Sequence, residues 1–447
     1  MTNNLEDIFK KASELILSYS KNSNIRVVSH YDADGISSAA IICKALYNAG
    51  FNFHATLMRN PFDKGLKRIS KEQNELVIFT DMGSGQIETI EKMKSQSIII
   101  DHHQPIKNKT NNNVLQINCN NFGINGNYEA CGATLSFNVA YSINQENFNL
   151  ASLAIIGATG DKQYIGGFKG YNQKIIDEAI KQGLIIEKTA IKLSNETIYD
   201  SLFYSIDPYY SGISGDKTNI DDFLDNIGID KKTKIEDLTD ENFKKIHSFL
   251  MLNLIKNGCE KNILDTIIRP RYYSENIGFE FERYADLLDA CGKGGSRGIA
   301  LSVALGDKKI IPDALNIEKD YKRKILNELI KLEKEGFKEK QSFRFFNSDD
   351  SSLGGVIAGI ATNFIFDRKK PLISITRKDS EIHISCRGNQ YLVSKGLNLG
   401  YAMKEASTKL GGHGGGHAIA SGATITGEKE KEFLDLVDEI ISKQIKS

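Results

Sequence analysis

The chain has 447 residues with 57 basic and 57 acidic side chains, a formal net charge of zero. That is longer than one ordinary domain of ~100–200 residues, and 40% hydrophobic with 26% charged residues excludes wholesale disorder. Neutrality excludes a chain that is basic throughout, so a polyanion would have to be held by a local basic surface or through metal ions.

The first element, Leu5–Leu17, is amphipathic and lacks the continuous apolar segment of a secretory signal, which predicts a cytoplasmic protein. From residue 25 short apolar runs alternate with helical periodicity. Ile25–Ser29, Phe51–Leu57, Leu76–Thr80, Ser97–Ile100 and Val114–Ile117 read as strands, and Ile36–Ala49, Gln86–Lys94, Gly132–Ile143 and Leu150–Thr159 as helices. This spacing predicts parallel βαβ units in an α/β domain over 1–185. Residues 186–310 read as a mostly helical insertion. They include the turn-rich loop Tyr204–Asp216 and two helical runs around a glycine turn in Tyr284–Asp307. A charged connector helix follows over 311–340, and 341–447 reads as a second, smaller α/β domain. The longest apolar runs, such as Leu153–Ile156, are far short of a membrane span, so no membrane partner is expected. Six cysteines stand singly with no CxxC pair, which argues against a zinc ribbon and a disulfide scaffold.

In open α/β sheets ligands sit at the carboxyl ends of the strands. The strand Ile25–Ser29 runs directly into His30-Tyr31-Asp32-Ala33-Asp34-Gly35, the end of Leu76–Thr80 carries Asp81, and the end of Ser97–Ile100 carries Asp101-His102-His103. Asp161 ends an apolar helical run. Like charges gathered at short range cannot all ionise without a counter-charge. Asp32, Asp34, Asp81 and Asp161 together match the charge of two divalent cations. Mixed carboxylate and imidazole donors suit Mn²⁺, with Mg²⁺ as the usual competitor, and two such ions ~3.5–4 Å apart serve in-line displacement at phosphorus.

These residues resemble the DHH phosphoesterase superfamily: HYDADG at 30–35, Asp81, the triplet DHH at 101–103, and Gly160-Asp161. The C-terminal GGGHAIASG (Gly414–Gly422), with SCRG (Ser385–Gly388) upstream, is similar to the substrate-binding domain that accompanies DHH domains. The Tyr204–Asp216 loop and the LLDACGKGG stretch are similar to segments of archaeal RecJ-like nucleases, a group that includes the nuclease associated with the GINS replication complex. The resemblance implies that Asp32, Asp34, Asp81, His102 and Asp161 are metal ligands, with Asp81 bridging both ions. It makes Asp101 the acid that orients the neighbouring imidazole and His103 the contact to the scissile phosphate. Phosphatase-type members place a ligating histidine four residues before the first aspartate and bacterial RecJ proteins usually carry an acid at the position of His30. His30 therefore either ligates an ion or lines the site, and ligation is the expectation.

In the second domain, Gly411–Gly416 cannot form a packed helix and reads as a loop, whose backbone N–H groups suit an anion nest. Arg387 suits bidentate phosphate contact, so Arg387, Gly414, Gly415, Gly416 and His417 are the expected substrate-binding residues. Between Phe366 and Gly412 nine basic residues face four acids, a net +5 within a neutral chain. Tyr391 and Tyr401 are either stacking faces for bases or ordinary packing. Lys293 and Arg297 either touch the backbone of a bound strand or form an ordinary helix–helix turn.

The expectation is a Mn²⁺-dependent exonuclease, with Mg²⁺ as the alternative ion. It would hydrolyse single-stranded DNA from an end, 5′→3′ by resemblance, with RNA also in view, in replication or repair. The alternatives are a small-substrate oligoribonuclease or cyclic-dinucleotide phosphodiesterase, and a replisome scaffold that binds the GINS complex and the replicative helicase.

Overall fold

A computed structural model describes residues 4–59, 62–106, 110–193 and 196–445. The chain forms two units, Met1–Ala190 with Arg269–Glu318, and Ile191–Ile268 with Lys319–Ser447. Among the described residues no helix is long and apolar enough to cross a membrane.

The first unit is built on β1 (Ile25–His30), β2 (Phe53–Met58), β3 (Leu76–Thr80), β4 (Gln96–Asp101) and β5 (Val114–Asn118), all parallel, in the order β2-β1-β3-β4-β5. A parallel sheet is covered on both faces, which is why its central strands are unbroken apolar runs. Val27, Ile78, Ile98 and Ile100 pack with the helices Leu5–Leu17, Ala33–Asn48, Gly132–Ile143 and Ala151–Gly160. Val28, Val77, Phe79 and Ile99 point the other way, against Leu66, Ile69, Ile87 and Ile90. The strand order reverses between β1 and β3, and at such a switch point the crevice beyond the carboxyl ends is the binding place of doubly wound sheets. Hydroxyls tie these two strand ends together: Thr80 Oγ1 donates to Ser29 Oγ at 2.7 Å, and Ser29 Oγ reaches Gly35 O at 2.7 Å.

The stretch 186–310, read as one helical insertion, divides between the units. It opens and continues in a two-stranded sheet of β6 (Ile186–Ile191) and β7 (Ile268–Tyr273). In the first unit the helix Phe281–Lys293 carries Glu282, a buried acid that accepts from Arg269 at 2.7 Å, Arg271 at 2.5 Å and Tyr164 Oη at 2.9 Å. One residue on, Arg283 makes a two-pronged contact with buried Glu318 at 2.6 and 2.5 Å. Burying these charges unpaired would be strongly unfavourable; the ion pairs brace residues 269–318 internally, and Tyr164 ties Glu282 to the rest of the first unit.

The second unit holds a six-stranded sheet of β8 (Lys338–Glu339), β9 (Arg344–Asn347), β10 (Leu372–Lys378), β11 (Glu381–Arg387), β12 (His413–Gly416) and β13 (Ala420–Thr426), ordered β12-β13-β11-β10-β9-β8. Ile373, Ile375, Ile382, Ile384 and Cys386 face Ala402, Met403, Phe433 and Val437 from the helices Leu399–Lys409 and Glu430–Gln444. The Tyr204–Asp216 loop lies in another core of this unit, with Tyr209 Oη donating to Glu333 at 2.6 Å. Two expectations are corrected. Gln86–Lys94 contains only the single helical turn Ile87–Ile90, and the glycine run is not a loop but the edge strand β12.

Gly292 gives a test of this packing. A Cβ there would meet Tyr31 O at 1.9 Å. Gly→Ala in an open helix usually gains ~0.5–1 kcal/mol, but here overpacking reverses the sign, and Gly292→Ala is expected to lower stability by roughly 1–3 kcal/mol in denaturant titration.

Candidate metal centre

Each donor is placed by the end of an element. Asp32 is the N-cap of the helix Ala33–Asn48, with Oδ1 accepting from Gly35 N at 3.0 Å and Oδ2 lying 2.7 Å from His30 Nδ1. Asp34, in that helix's first turn, is 1% exposed and accepts from Gly132 N at 2.7 Å and Ala133 N at 2.8 Å. These are free N–H groups at the start of a twelve-residue helix, where an anion is favoured. Asp81 follows β3 with φ of +53°, a left-handed conformation uncommon outside glycine and concentrated at functional sites. Its turn back over the strand end aims both carboxylate oxygens at histidines: Oδ1 at His102 Nε2 (3.2 Å) and His103 Nδ1 (3.8 Å), Oδ2 at His30 Nδ1 (3.6 Å). Asp161 caps the helix Ala151–Gly160, its Oδ2 3.3 Å from His102 Nε2.

The structure thus brings all six expected metal ligands together, in the overlapping groups His30–Asp32–Asp81 and Asp34–His102–Asp161, with Asp81 also grouped with His102 and His103. Charge crowding shows in the titration of these groups. Burial and the neighbouring Asp81 push the Asp34 carboxyl up to about 7, and burial with Asp34 pushes Asp161 up to about 7. Burial alone would lower His30, yet Asp32 and Asp81 raise it to about 11. The fit to cations is supported by two buried atoms, His30 Nδ1 and Asp81 Oδ1, which make no well-aligned hydrogen bond although Asp32 Oδ2 and His102 Nε2 lie 2.7 and 3.2 Å away. Buried polar atoms of this kind, set among carboxylates and imidazoles, suit the coordination of a cation.

Two assignments sharpen. Asp101 orients His103, accepting its Nδ1 at 2.8 Å while also taking Ser84 N at 2.9 Å, and burial opposed by His103 and His102 holds its carboxyl well below the usual range. His102 is oriented instead by a carbonyl: Nδ1 meets Gly126 O at 2.6 Å, which turns Nε2 to the carboxylates. Gly126 O is held in turn by the amide of buried Gln163 at 2.9 Å. Sequence reasoning missed Gly126, Gln163, Gly132 and Gly157. A Cβ on Gly132 would lie 2.7 Å from Asp81 Cβ, and one on Gly157 2.5 Å from Asp34 Oδ1. The signal available was a glycine at a helix start beside an otherwise apolar run.

The substrate candidates assemble in the second unit. Arg387, at the end of β11, lies against the helix Gly354–Phe364, where a Cβ on Gly355 would sit 2.7 Å from Nη2. Its Nη1 donates to Cys386 O at 2.9 Å, and among the described residues no carboxylate pairs with it. Gly414, Gly415 and Gly416 lie on β12 in register with Ala423, Gly422 and Ser421, and His417 N donates to Ala420 O at 2.8 Å at the turn that follows. Of the +5 segment, Arg377 pairs with Glu430 at 2.5 Å and Lys370 with Glu339 at 2.8 Å, so the free basic surface is narrower than the composition implies. Arg368 and Lys395 remain over the Tyr391 ring, 4.9 and 5.8 Å from its centroid.

The family model described as the DHH family N-terminal domain matches residues 24–158, the DHHA1 domain matches 345–443, and Archaeal Cdc45 matches 124–293. An uncharacterised protein of Methanocaldococcus jannaschii is 32% identical over 99% of this chain and 98% of its own length. Among solved structures, RecJ of Thermus thermophilus, crystallised with Mn²⁺, superposes with a TM-score of 0.61 at 15% identity over 98% of this chain, which spans 55% of that RecJ chain. CDC45 of Entamoeba histolytica superposes with a TM-score of 0.65 at 14% identity, over 98% of each chain. At these identities the structural likeness is one of fold.

Two outcomes are expected. Mn²⁺ at a hundred times its dissociation constant stabilises the fold by about 2.7 kcal/mol, seen as a higher melting temperature that a chelator reverses and Asp81→Asn abolishes. Because the ion displaces protons held by Asp34, Asp161 and the histidines, calorimetry in buffers of different ionisation enthalpy should show proton release, with affinity rising between pH 6 and 8.

Proposed function

The chain belongs to the DHH family, and from that premise we propose that it is a two-metal phosphodiesterase that removes nucleotides from the end of a single nucleic-acid strand. The observation that carries this reading is the complete donor set: four aspartates and the histidines 30 and 102, converging at the switch point of the sheet. Among the carboxylates and imidazoles the sequence nominated, none is turned away.

His30, Asp32 and Asp81 would hold one ion, and Asp34, Asp81, His102 and Asp161 the other. When bound, two divalent ions supply charge neutralisation and water activation for displacement at phosphorus; Mn²⁺ suits this donor mixture, with Mg²⁺ as competitor. The protein's own share is positional. Gly126 and Gln163 fix the tautomer of His102. Asp101 fixes His103, whose side chain is 48% exposed. With Nδ1 held by Asp101, His103 presents Nε2 outward, to a phosphate oxygen. In the second unit Arg387, an uncompensated guanidinium, takes a phosphate of the strand, and the outward N–H groups of the edge strand β12 with His417 offer further anion contacts. The substrate is DNA digested 5′→3′, with RNA as the second candidate.

The match to Archaeal Cdc45 and the CDC45 fold favour a second reading, a replisome scaffold for GINS and the replicative helicase. A scaffold has no use for a charge cluster that costs stability unless ions are bound, so the intact donors favour the enzyme.

The test is a degradation ladder on DNA and RNA oligonucleotides labelled at either end. With Mn²⁺ the wild type is expected to shorten single strands stepwise, while Asp81→Ala leaves them intact. Gln163→Leu should lower activity by about 10–100-fold through His102. Arg387→Ala should raise KM by roughly 10–100-fold, the loss of a charge-assisted contact of about 1.5–3 kcal/mol. Intact oligonucleotides with wild type and Mn²⁺, together with stable capture of GINS, would select the scaffold instead.

A further inference from the structure

The stretch Leu287–Gly295 supplies none of the metal donors, yet its helix ends against the segment that carries two of them. Ala33 is the first residue of the helix Ala33–Asn48, and its N–H is one of the donors that a helix start leaves without an intrahelical partner. The N-cap Asp32 spends Oδ1 on Gly35 N. Asp289, 256 residues away in sequence, takes the Ala33 donor: its Oδ1 accepts from Ala33 N at 2.7 Å. The other oxygen pairs with Lys293 one helical turn on. Both oxygens of Asp289 are therefore committed, and the carboxylate is held in one orientation.

Ala33 lies between the two donor groups. Asp32 belongs with His30 and Asp81, and Asp34 with His102 and Asp161, so Ala33 joins a ligand of one ion to a ligand of the other. Its neighbours leave it little room. A Cβ on Gly160 would lie 2.6 Å from Ala33 Cβ, and one on Gly292 would lie 1.9 Å from Tyr31 O. Helix backbone is thus pressed against the residues on either side of Asp32. The freedom that remains is rotation of the peptide plane between Asp32 and Ala33, and the hydrogen bond from Ala33 N to Asp289 removes it. Turning that plane would carry the two carboxylates in different directions. An acid placed beside a group of carboxylates is electrostatically adverse; Lys293 offsets its charge locally, which leaves position as its contribution.

We propose that Asp289 is a positioning residue that sets the spacing of the two ions by holding Ala33 N between Asp32 and Asp34. The proposal rests on the two-metal reading and deepens it: one carboxylate outside both donor groups governs how the second ion binds once the first is in place. Metal ligands depend on such supports for their aim.

The test is Mn²⁺ titration of the full chain, followed by calorimetry and by electron paramagnetic resonance. Two Mn²⁺ ions that share a carboxylate give an exchange-coupled signal that depends on their separation. Wild type is expected to bind two ions and show that signal. Asp289→Ala should weaken the second ion by about 10–100-fold and diminish the coupled signal at equal Mn²⁺. Asp289→Asn keeps an acceptor of the same shape and should stay close to wild type. Asp289→Glu keeps the charge but displaces the acceptor, and should alter both readouts. Melting temperatures in chelator check folding; if Asp289→Ala does not fold, the contrast between Asp289→Asn and Asp289→Glu decides. A lower melting temperature in chelator with wild-type Mn²⁺ affinity and signal makes Asp289 a helix cap only and overturns the proposal. So does the opposite ranking, with Asp289→Glu like wild type and Asp289→Asn impaired, since the residue would then act through its charge. Wild type without a coupled pair sinks the two-metal reading and this inference with it. A coupled pair sensitive to Asp289, in a protein that leaves oligonucleotides intact, sinks the nuclease reading and keeps the positioning role.

Discussion

Electrostatic crowding at one rim of a parallel sheet governs the first unit. Four carboxylates and three imidazoles meet where the strand order reverses, and the fold answers the repulsion locally before any ion is considered. Asp34 is buried against two N–H groups of a helix start, His30 stands against Asp32 at 2.7 Å, and His102 sits among Asp34, Asp81 and Asp161. These devices leave atoms unsatisfied and carboxyls holding protons near neutrality. Such an arrangement is unfavourable for stability and is retained only if something bound restores the balance.

The surroundings are shaped by the same demand. Glycine is required at 132 and 157 because the helices that supply N–H groups and packing must approach Asp34 and Asp81 more closely than a Cβ permits. The backbone of Asp81 takes a left-handed turn because only then do its two oxygens reach histidines from different strands. Further out, Asn118 bridges Ser84 Oγ and His103 O at 2.9 and 2.8 Å, so the loop after β3 and the one after β4 move as one piece. Positional accuracy at the donors is therefore distributed over several buried polar contacts, each modest alone.

The donors were legible in the sequence because chemistry at strand ends follows directly from strand periodicity, and an acid after an apolar run needs no knowledge of the partner strand. The supports were not legible. Gly126 O acts through its carbonyl, which any residue carries, and Gln163 looks like an ordinary polar residue after Asp161. The division of 186–310 was hidden for a similar reason: Glu282 is paired with Tyr164, 118 residues away, and Arg283 with Glu318, 35 residues away. Local periodicity shows helices there but not which core they join. The glycine run misled because its composition forbids a helix but permits an edge strand, and register with β13 decided the matter. Net charge misled in the opposite direction, since Arg377 and Lys370 are cancelled by acids outside the counted window.

The second unit carries a device that composition does not reveal. Arg387, set against glycines 355 and 359, donates from Nη1 to Cys386 O and has no carboxylate partner among the described residues. Elsewhere the protein pairs its buried arginines with care, as at Arg26 with Glu72, Arg271 with Glu282 and Arg283 with Glu318. Against that pattern Arg387, without a carboxylate among the described residues, is a position where a counter-charge from outside fits.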